Sequence, residues 1–265
     1  MSDSLTPTPS MELLVRMGHL LDFKDKVFKI WGTTAKVSAI RGSPNGKELR
    51  AFASQLSAAR RWMKFAKILR STPDLLNPLD GVLLPKSASF FDYVKLLLSK
   101  CEFVADIVQM LAEDANTLHK AKYWTAGLGL RPIKNLDTIE DRAWFIWSVF
   151  ATLTSFIEMR ELKRKLRATS LRMQALNPDT VPEEIADMKK QAAVLKIRYY
   201  LCLFKFVKFA CEVVDSSIAL TPDRLKAFNP TVFELVSCLV GSVSAISSLH
   251  KLLYNESRAI ASASK

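Results

Sequence analysis

From Leu56 to Arg70 the side chains sort, at 100° per residue, onto two faces of a helix. Ser57, Arg60, Arg61, Lys64, Lys67 and Ser71 fall on one face, and Ala59, Trp62, Met63, Phe65, Ala66 and Leu69 on the other. Long basic side chains opposite Trp, Phe, Met and Leu form the pattern of a helix lying along an anionic lipid surface. On that reading Arg60, Arg61, Lys64 and Lys67 hold headgroups, while Trp62, Met63, Phe65, Ala66 and Leu69 enter the leaflet. The same pattern also fits a surface helix of a soluble bundle.

Helical periodicity extends along the rest of the chain. It predicts a helix from Met11 to about Ile40, broken by Arg41-Gly42-Ser43-Pro44-Asn45-Gly46, then the basic helix from about Lys47 to Arg70. Further helices run from Ser87 to about Ala115, from Thr138 through Arg172, and from Pro182 to about Leu220, with a last apolar helix after Asn229-Pro230. No strand alternation competes, so the chain reads as all-α: a membrane-associated helical bundle with an N-terminal amphipathic region and a C-terminal transmembrane helix. The expected divisions are a disordered tail at 1–10, the amphipathic region at 11–72, and linkers with a striped apolar helix at 73–142. An apolar helix and a long charged connection occupy 143–198, then a second striped helix and the transmembrane helix 199–265.

Two segments are nearly free of charge. Ala143 to Ile157, between Arg142 and Glu158, covers about 22 Å as a helix, short of the ~30 Å bilayer core. Its Trp144 and Trp147 suit an interfacial belt. Thr231 to Leu249 carries one charge, Glu234, and is the better spanning segment. Ser237, Gly241 and Ala245 recur there every fourth residue, a seam of small residues through which helices associate closely. Two other helices are apolar except for one narrow polar stripe: Asp92, Lys95, Ser99, Glu102, Asp106, Gln109 and Glu113, and Lys205, Lys208, Glu212 and Asp215. In a membrane such stripes face the bundle interior, so the expectation is four embedded helices with the two stripes facing each other. A soluble bundle with a polar seam is the alternative. The number of spans stays at two or four.

The formal charge of +12 narrows the partners to anionic lipid, nucleic acid or an acidic protein. No zinc-finger spacing, RNP-like strand or basic zipper is present, which argues against nucleic acid. Cys101, Cys202, Cys211 and Cys238 lie in apolar helical runs without metal spacing and read as small buried hydrophobes. His19, His119 and His250 are scattered, and no phosphate loop or nucleophile elbow exists, so neither an enzyme nor a cofactor or metal site is expected. Met1 to Ser10 lacks the basic and apolar regions of a secretory signal, and the closing Ala-Ser-Ala-Ser-Lys is not a peroxisome-lumen address.

The run Phe23-Lys24-Asp25-Lys26-Val27-Phe28-Lys29-Ile30-Trp31-Gly32-Thr33-Thr34-Ala35-Lys36-Val37 resembles the opening motif of the peroxin-eleven family. Asp25, Lys26, Lys29, Ala35 and Lys36 match that motif, and Trp31-Gly32 departs from it. Leu56 to Arg61 and Lys64 to Arg70 resemble the family's amphipathic helix, and Phe206-Val207-Lys208 with Asp215 and Ile218 to Leu220 is a looser third match. The resemblance implies a protein of the peroxisomal or glycosomal membrane, multi-pass or integral, that elongates the organelle before fission, with both termini in the cytosol. Implied partners are anionic lipids, further copies of the chain, fission adaptors, a dynamin-type GTPase and the import receptor peroxin nineteen. If the polar stripes line water instead of pairing, the bundle reads as a channel for small metabolites.

Overall fold

The computed structural model describes residues 20–65, 90–122, 135–175, 182–227 and 229–263. They form helices α1 (Leu21–Ile40), α2 (Gly46–Lys64), α3 (Phe90–Lys120), α4 (Leu136–Gln174), α5 (Pro182–Leu220), the single turn α6 (Asp223–Lys226) and α7 (Pro230–Ala263). No strand occurs among the described residues, as the periodicity predicts.

The break after Ile40 is a Schellman turn. Gly42 takes φ +83°, a left-handed conformation that costs a residue without Cβ little. The Gly42 N–H donates to the Ala39 carbonyl and the Ser43 N–H to that of Ser38. The chain thereby reverses, and α2 packs back along α1, with a Cβ on Gly32 coming within 3.9 Å of Ala53 O and Leu56 Cβ.

The long helices close a ring of neighbours. α1 packs on α2 and α7, α7 on α5, α5 on α4 and α4 on α3, while α3 meets α2 along the thinnest seam. α4 and α5, each 39 residues, are the longest members. Beyond Glu161 on α4 the half-buried positions are Leu162, Leu166, Thr169 and Met173, and from Ile185 to Tyr199 on α5 they are Ile185, Met188, Ala192, Leu195 and Tyr199. Alternating steps of three and four residues mark a two-stranded coiled coil. The long charged connection expected between Glu158 and Arg198 is this hairpin.

Burial is inverted relative to a water-soluble bundle. The side chains below 2% exposure are led by Asn116, Ser148, Ser155 and Ser216, and the buried apolar set is dominated by alanine. Large apolar groups lie outside: Leu97, Val104, Val108 and Leu111 along α3, Ile139, Ile146 and Leu153 along α4, and Val232, Leu239, Ile246 and Leu253 along α7. The last four recur every seventh residue and draw one stripe down the helix. Small residues inside let helix backbones approach closely, and an apolar exterior this extensive marks contact with lipid or other apolar surface.

α7 is long and apolar enough to cross a membrane over Pro230–Arg258, with mean hydropathy 1.8 and 28% of its window buried. It is the one such helix among the described residues, so one span of the two or four expected has a helix of the required length and composition. Along Ala143 to Ile157, Ala143, Ser148, Ala151 and Ser155 turn inward within a helix that continues into the charged hairpin.

Candidate functional site

The interior of the ring is polar. A cavity of about 280 Å³ is bounded by α1, α2, α3, α4 and α5. Six cations (Lys26, Lys29, Arg60, Arg61, Lys64 and Lys208) and six carboxylates (Asp22, Asp25, Glu113, Glu140, Glu212 and Asp215) line it, with Ser57, Gln109, Trp144 and Trp147. Both polar stripes deliver residues here, though not face to face, since α4 lies between α3 and α5. The stripes pair instead with third parties. Lys95 donates to Glu161 of α4 at 2.6 Å, Lys205 stands 3.7 Å from Glu158 of α4, and Ser237 of α7 donates to Asp215. Trp144 and Trp147 line the cavity wall. Trp147 meets Phe209 edge-on at 5.2 Å, with the Lys208 ammonium 5.7 Å from its ring.

The last turn of α2 points into this interior. Nε of Arg60 donates to Asp25 Oδ1 at 2.9 Å and to the Asp25 carbonyl at 3.1 Å. Nζ of Lys64 donates to Glu113 Oε1 at 3.1 Å. Asp25 is 3% exposed and also accepts from Lys26 at 2.8 Å; Glu113 also accepts from Gln109 at 3.0 Å. Arg61 is half-buried on the cavity wall. Periodicity separates the two faces of α2 but does not say which one meets the bundle. Here Arg60 and Lys64 turn inward, while Trp62 is 53% exposed and meets Phe65 edge-on at 5.5 Å. Met63 and Phe65 are half-buried. Ala66, Lys67 and Leu69 lie outside the described residues.

α1 supplies the opposite wall. Asp25, Lys26 and Lys29 line the main cavity, and Lys36 lines a smaller one of about 130 Å³ between α1 and α7; Ala35 is buried at 6% exposure. The seam on α7 is filled by this chain's own helices. A Cβ on Gly241 would stand 3.3 Å from Lys29 Cε and 3.8 Å from Thr33 Cγ2, and Ala245 is 1% exposed. The hydroxyls of Thr33 and Ser242 are 2.9 Å apart.

Electrostatics follow from this crowding. Burial would raise the Asp25 carboxyl, but Lys26, Lys64 and Arg60 outweigh it and hold the group well below the usual carboxylate range. Burial lowers Lys29 to about 8 against the pull of Glu212 and Asp215. Burial also acts on Glu212, yet Lys208 and Lys29 prevail and lower it, while at Asp215 burial prevails and raises it. Glu212 receives a hydrogen bond from Ser244 on Oε1 at 3.0 Å, and its Oε2 is buried without a hydrogen-bond partner. At the α3–α4 edge, Asn116 donates to Asp137 at 2.9 Å and also to Glu140, whose carboxyl is raised by burial.

Among the described residues no group of His, Cys, Asp and Glu has the arrangement of a metal site. The four cysteines are free, Cys202 and Cys238 buried; burial pushes the Cys202 thiol up to about 12, and its S–H donates to Ser155 O at 3.3 Å. The arrangement can balance charge inside an apolar shell and accommodate water or small polar molecules.

A family model, Peroxisomal biogenesis factor 11 (PEX11), matches residues 11–255, nearly the whole chain. The chain belongs to the PEX11 family. No curated protein and no solved structure matches it. PEX11 membership gives the chain a place in peroxisome biogenesis and at the peroxisomal membrane, in a family of biogenesis factors and not of enzymes. The bounds of the match enclose the α4–α5 hairpin. Of the five residues of the PEX11-like opening motif, Asp25, Lys26 and Lys29 line the main cavity, Ala35 is buried, and Lys36 lines the smaller cavity beside α7. Sequence reasoning singled out neither Glu113 as the partner of Lys64 nor Glu140 as a cavity residue. The stripe through Asp92 to Glu113 was the available signal for Glu113; its partner lies 49 residues away and leaves no local trace.

Proposed function

We propose that this chain elongates and remodels the peroxisomal membrane by presenting the α1–α2 hairpin to one leaflet while α7 anchors it. The observation that carries this reading is the outer surface of the hairpin, where Leu21, Trp31, Phe52 and Trp62 are 43%, 54%, 44% and 53% exposed. Aromatic and aliphatic side chains standing outside a helical hairpin bury their area in the headgroup–acyl boundary, and area added to one leaflet favours curvature. Further copies of the chain concentrate the effect. The α7 stripe of Val232, Leu239, Ile246 and Leu253 is the surface left for them, because Ser237, Gly241 and Ala245 are occupied from within.

The test is tubulation by the full chain in vesicles containing phosphatidylserine. Phe52→Ser with Trp62→Ser is expected to reduce the inserted population about a hundred-fold, read as a loss of tubules per vesicle, as follows from the loss of two interfacial anchors of roughly 1.5 kcal/mol each. Unchanged tubulation by a chain that still floats with the vesicles sinks the reading.

A second reading is favoured by the cavity. Twelve charged groups inside an apolar shell resemble the lining of a path for small polar metabolites more than a structural core. Planar bilayers distinguish the two: a scaffold gives no unitary conductance, and a channel gives one that changes ion selectivity when Lys208 becomes Glu.

A further inference from the structure

The inward stripe of α2 changes character along its length. Leu49, Ala53 and Leu56 come first and pack against α1; Arg60 and Lys64 come next, and the last turn is tied down by charge. Its two ties reach different helices, Arg60 to Asp25 of α1 and Lys64 to Glu113 of α3. The second tie crosses the thinnest seam of the ring.

The ties are unequal in a telling way. The carboxylates sit deeper than the cations: side-chain exposure is 4% for Asp25 and 13% for Glu113, against 20% for Arg60 and 34% for Lys64. Each carboxylate also has a second partner on its own helix. Asp25 keeps Lys26 at 2.8 Å, and Glu113 keeps Gln109 at 3.0 Å. If α2 leaves, Asp25 keeps the charge of Lys26 and Glu113 keeps the amide of Gln109, and the departing helix opens both carboxylates to water, which lowers the penalty for parting the pairs. On the outer side of the same turn stand Trp62 and Phe65.

We infer that the last turn of α2 is a latch opened by an anionic bilayer. Lipid phosphates compete with Asp25 and Glu113 for Arg60 and Lys64, and the guanidinium and ammonium exchange a carboxylate for a phosphate of the same charge sign. The phosphates of the surface act together with its negative potential, which free carboxylates in the bundle lack. The docked turn holds its bases inward; the released turn carries them to the headgroups together with Trp62 and Phe65. This inference rests on the remodelling reading, since it describes how the same helix is switched on.

The experiment uses the full chain with its four cysteines replaced and spin labels at Ala58 and Ser99, both exposed and outside the ion pairs. Pulsed dipolar spectroscopy is run in phosphatidylcholine vesicles, in the same vesicles with phosphatidylserine, and in phosphatidylcholine with added inorganic phosphate. The expected result is one distance in neutral lipid, a second and longer one with phosphatidylserine, and no change with inorganic phosphate. A shift with inorganic phosphate alone overturns the role of the bilayer. Glu113→Gln should raise the long-to-short ratio about three-fold, the scale of one partly screened ion pair. Lys64→Glu with Glu113→Lys restores the tie but presents a carboxylate to the lipid, and should suppress the lipid-induced shift. Distances that ignore phosphatidylserine in the wild type and in Glu113→Gln overturn the latch. Tubulation is scored on the same vesicles. Tubules without a distance change mean that α2 inserts while docked, so remodelling stands and the latch falls. A distance change without tubules leaves the latch and removes the remodelling.

Discussion

Lys29 shows how much of this interior is decided by single side chains. Its ammonium ends among Glu212 and Asp215, yet burial outweighs them and brings it from the ordinary 10.5 to about 8. A lysine lowered on folding binds fewer protons folded than unfolded between those two values, so stability rises with pH across that window. The full shift, discounted for the partial exposure of the group to the cavity, gives a rise of about 2 kcal/mol between pH 8 and 10.5. Thermal unfolding of the wild type in detergent should show that rise, and Lys29→Met should lack it. Asp25 acts in the opposite sense. Its carboxyl is held well below the usual range, so its contribution is present above the unfolded value near ~3.9 and fades as pH falls below it. In the sequence these residues are visible as a motif and not as a cavity. Lys29 lies 183 positions from Glu212, and spacing along a chain cannot report a meeting that depends on how three helices close.

At the scale of the element, the parts legible in the sequence are those governed by local rules. Gly42 and the residues around it set the end of α1, and the steps of three and four residues set the helical faces. The direction each face takes is not local. Trp62 and Arg60 are separable by angle, but only the packing of α2 on α1 through Gly32, Ala53 and Leu56 turns the arginine inward. The same holds for α7, whose small seam foretells close approach without saying to what. Gly241 tests the result. Alanine there presses on Lys29 Cε at 3.3 Å, the end of a flexible side chain that can yield. The better helix propensity, up to ~1 kcal/mol, offsets that displacement. Gly241→Ala should therefore keep the wild-type melting temperature. Gly241→Leu cannot be absorbed by Lys29 alone and should separate α1 from α7 at a cost of about 1–3 kcal/mol, read as a lower melting temperature.

At the scale of the whole molecule, the sequence conveys an all-α chain with a thin polar content on greasy helices, and the resemblance at Asp25 to Lys36 places it in its family. The ring order is not contained in either. Two stripes on two helices invite the simplest pairing, and the structure inserts α4 between them, because the α4–α5 hairpin claims the closest contact for itself. The inverted burial has a thermal corollary. Unfolding an ordinary domain exposes apolar groups to water and raises the heat capacity by about 12–15 cal/mol/K per residue. Here Leu97, Val108, Ile146, Leu239 and Ile246 already stand outside, and the buried set is rich in alanine, serine and paired charge, with few large apolar side chains such as Met110, Leu136 and Phe209. Whatever surrounds these outer groups in the folded state, they contribute little new exposure when the chain unfolds. The heat-capacity increment falls well below the ordinary value, and the stability curve flattens into a broad, shallow arch. A bundle of this kind keeps nearly the same margin of stability from the cold to the upper end of its working range, and cold denaturation recedes far below freezing.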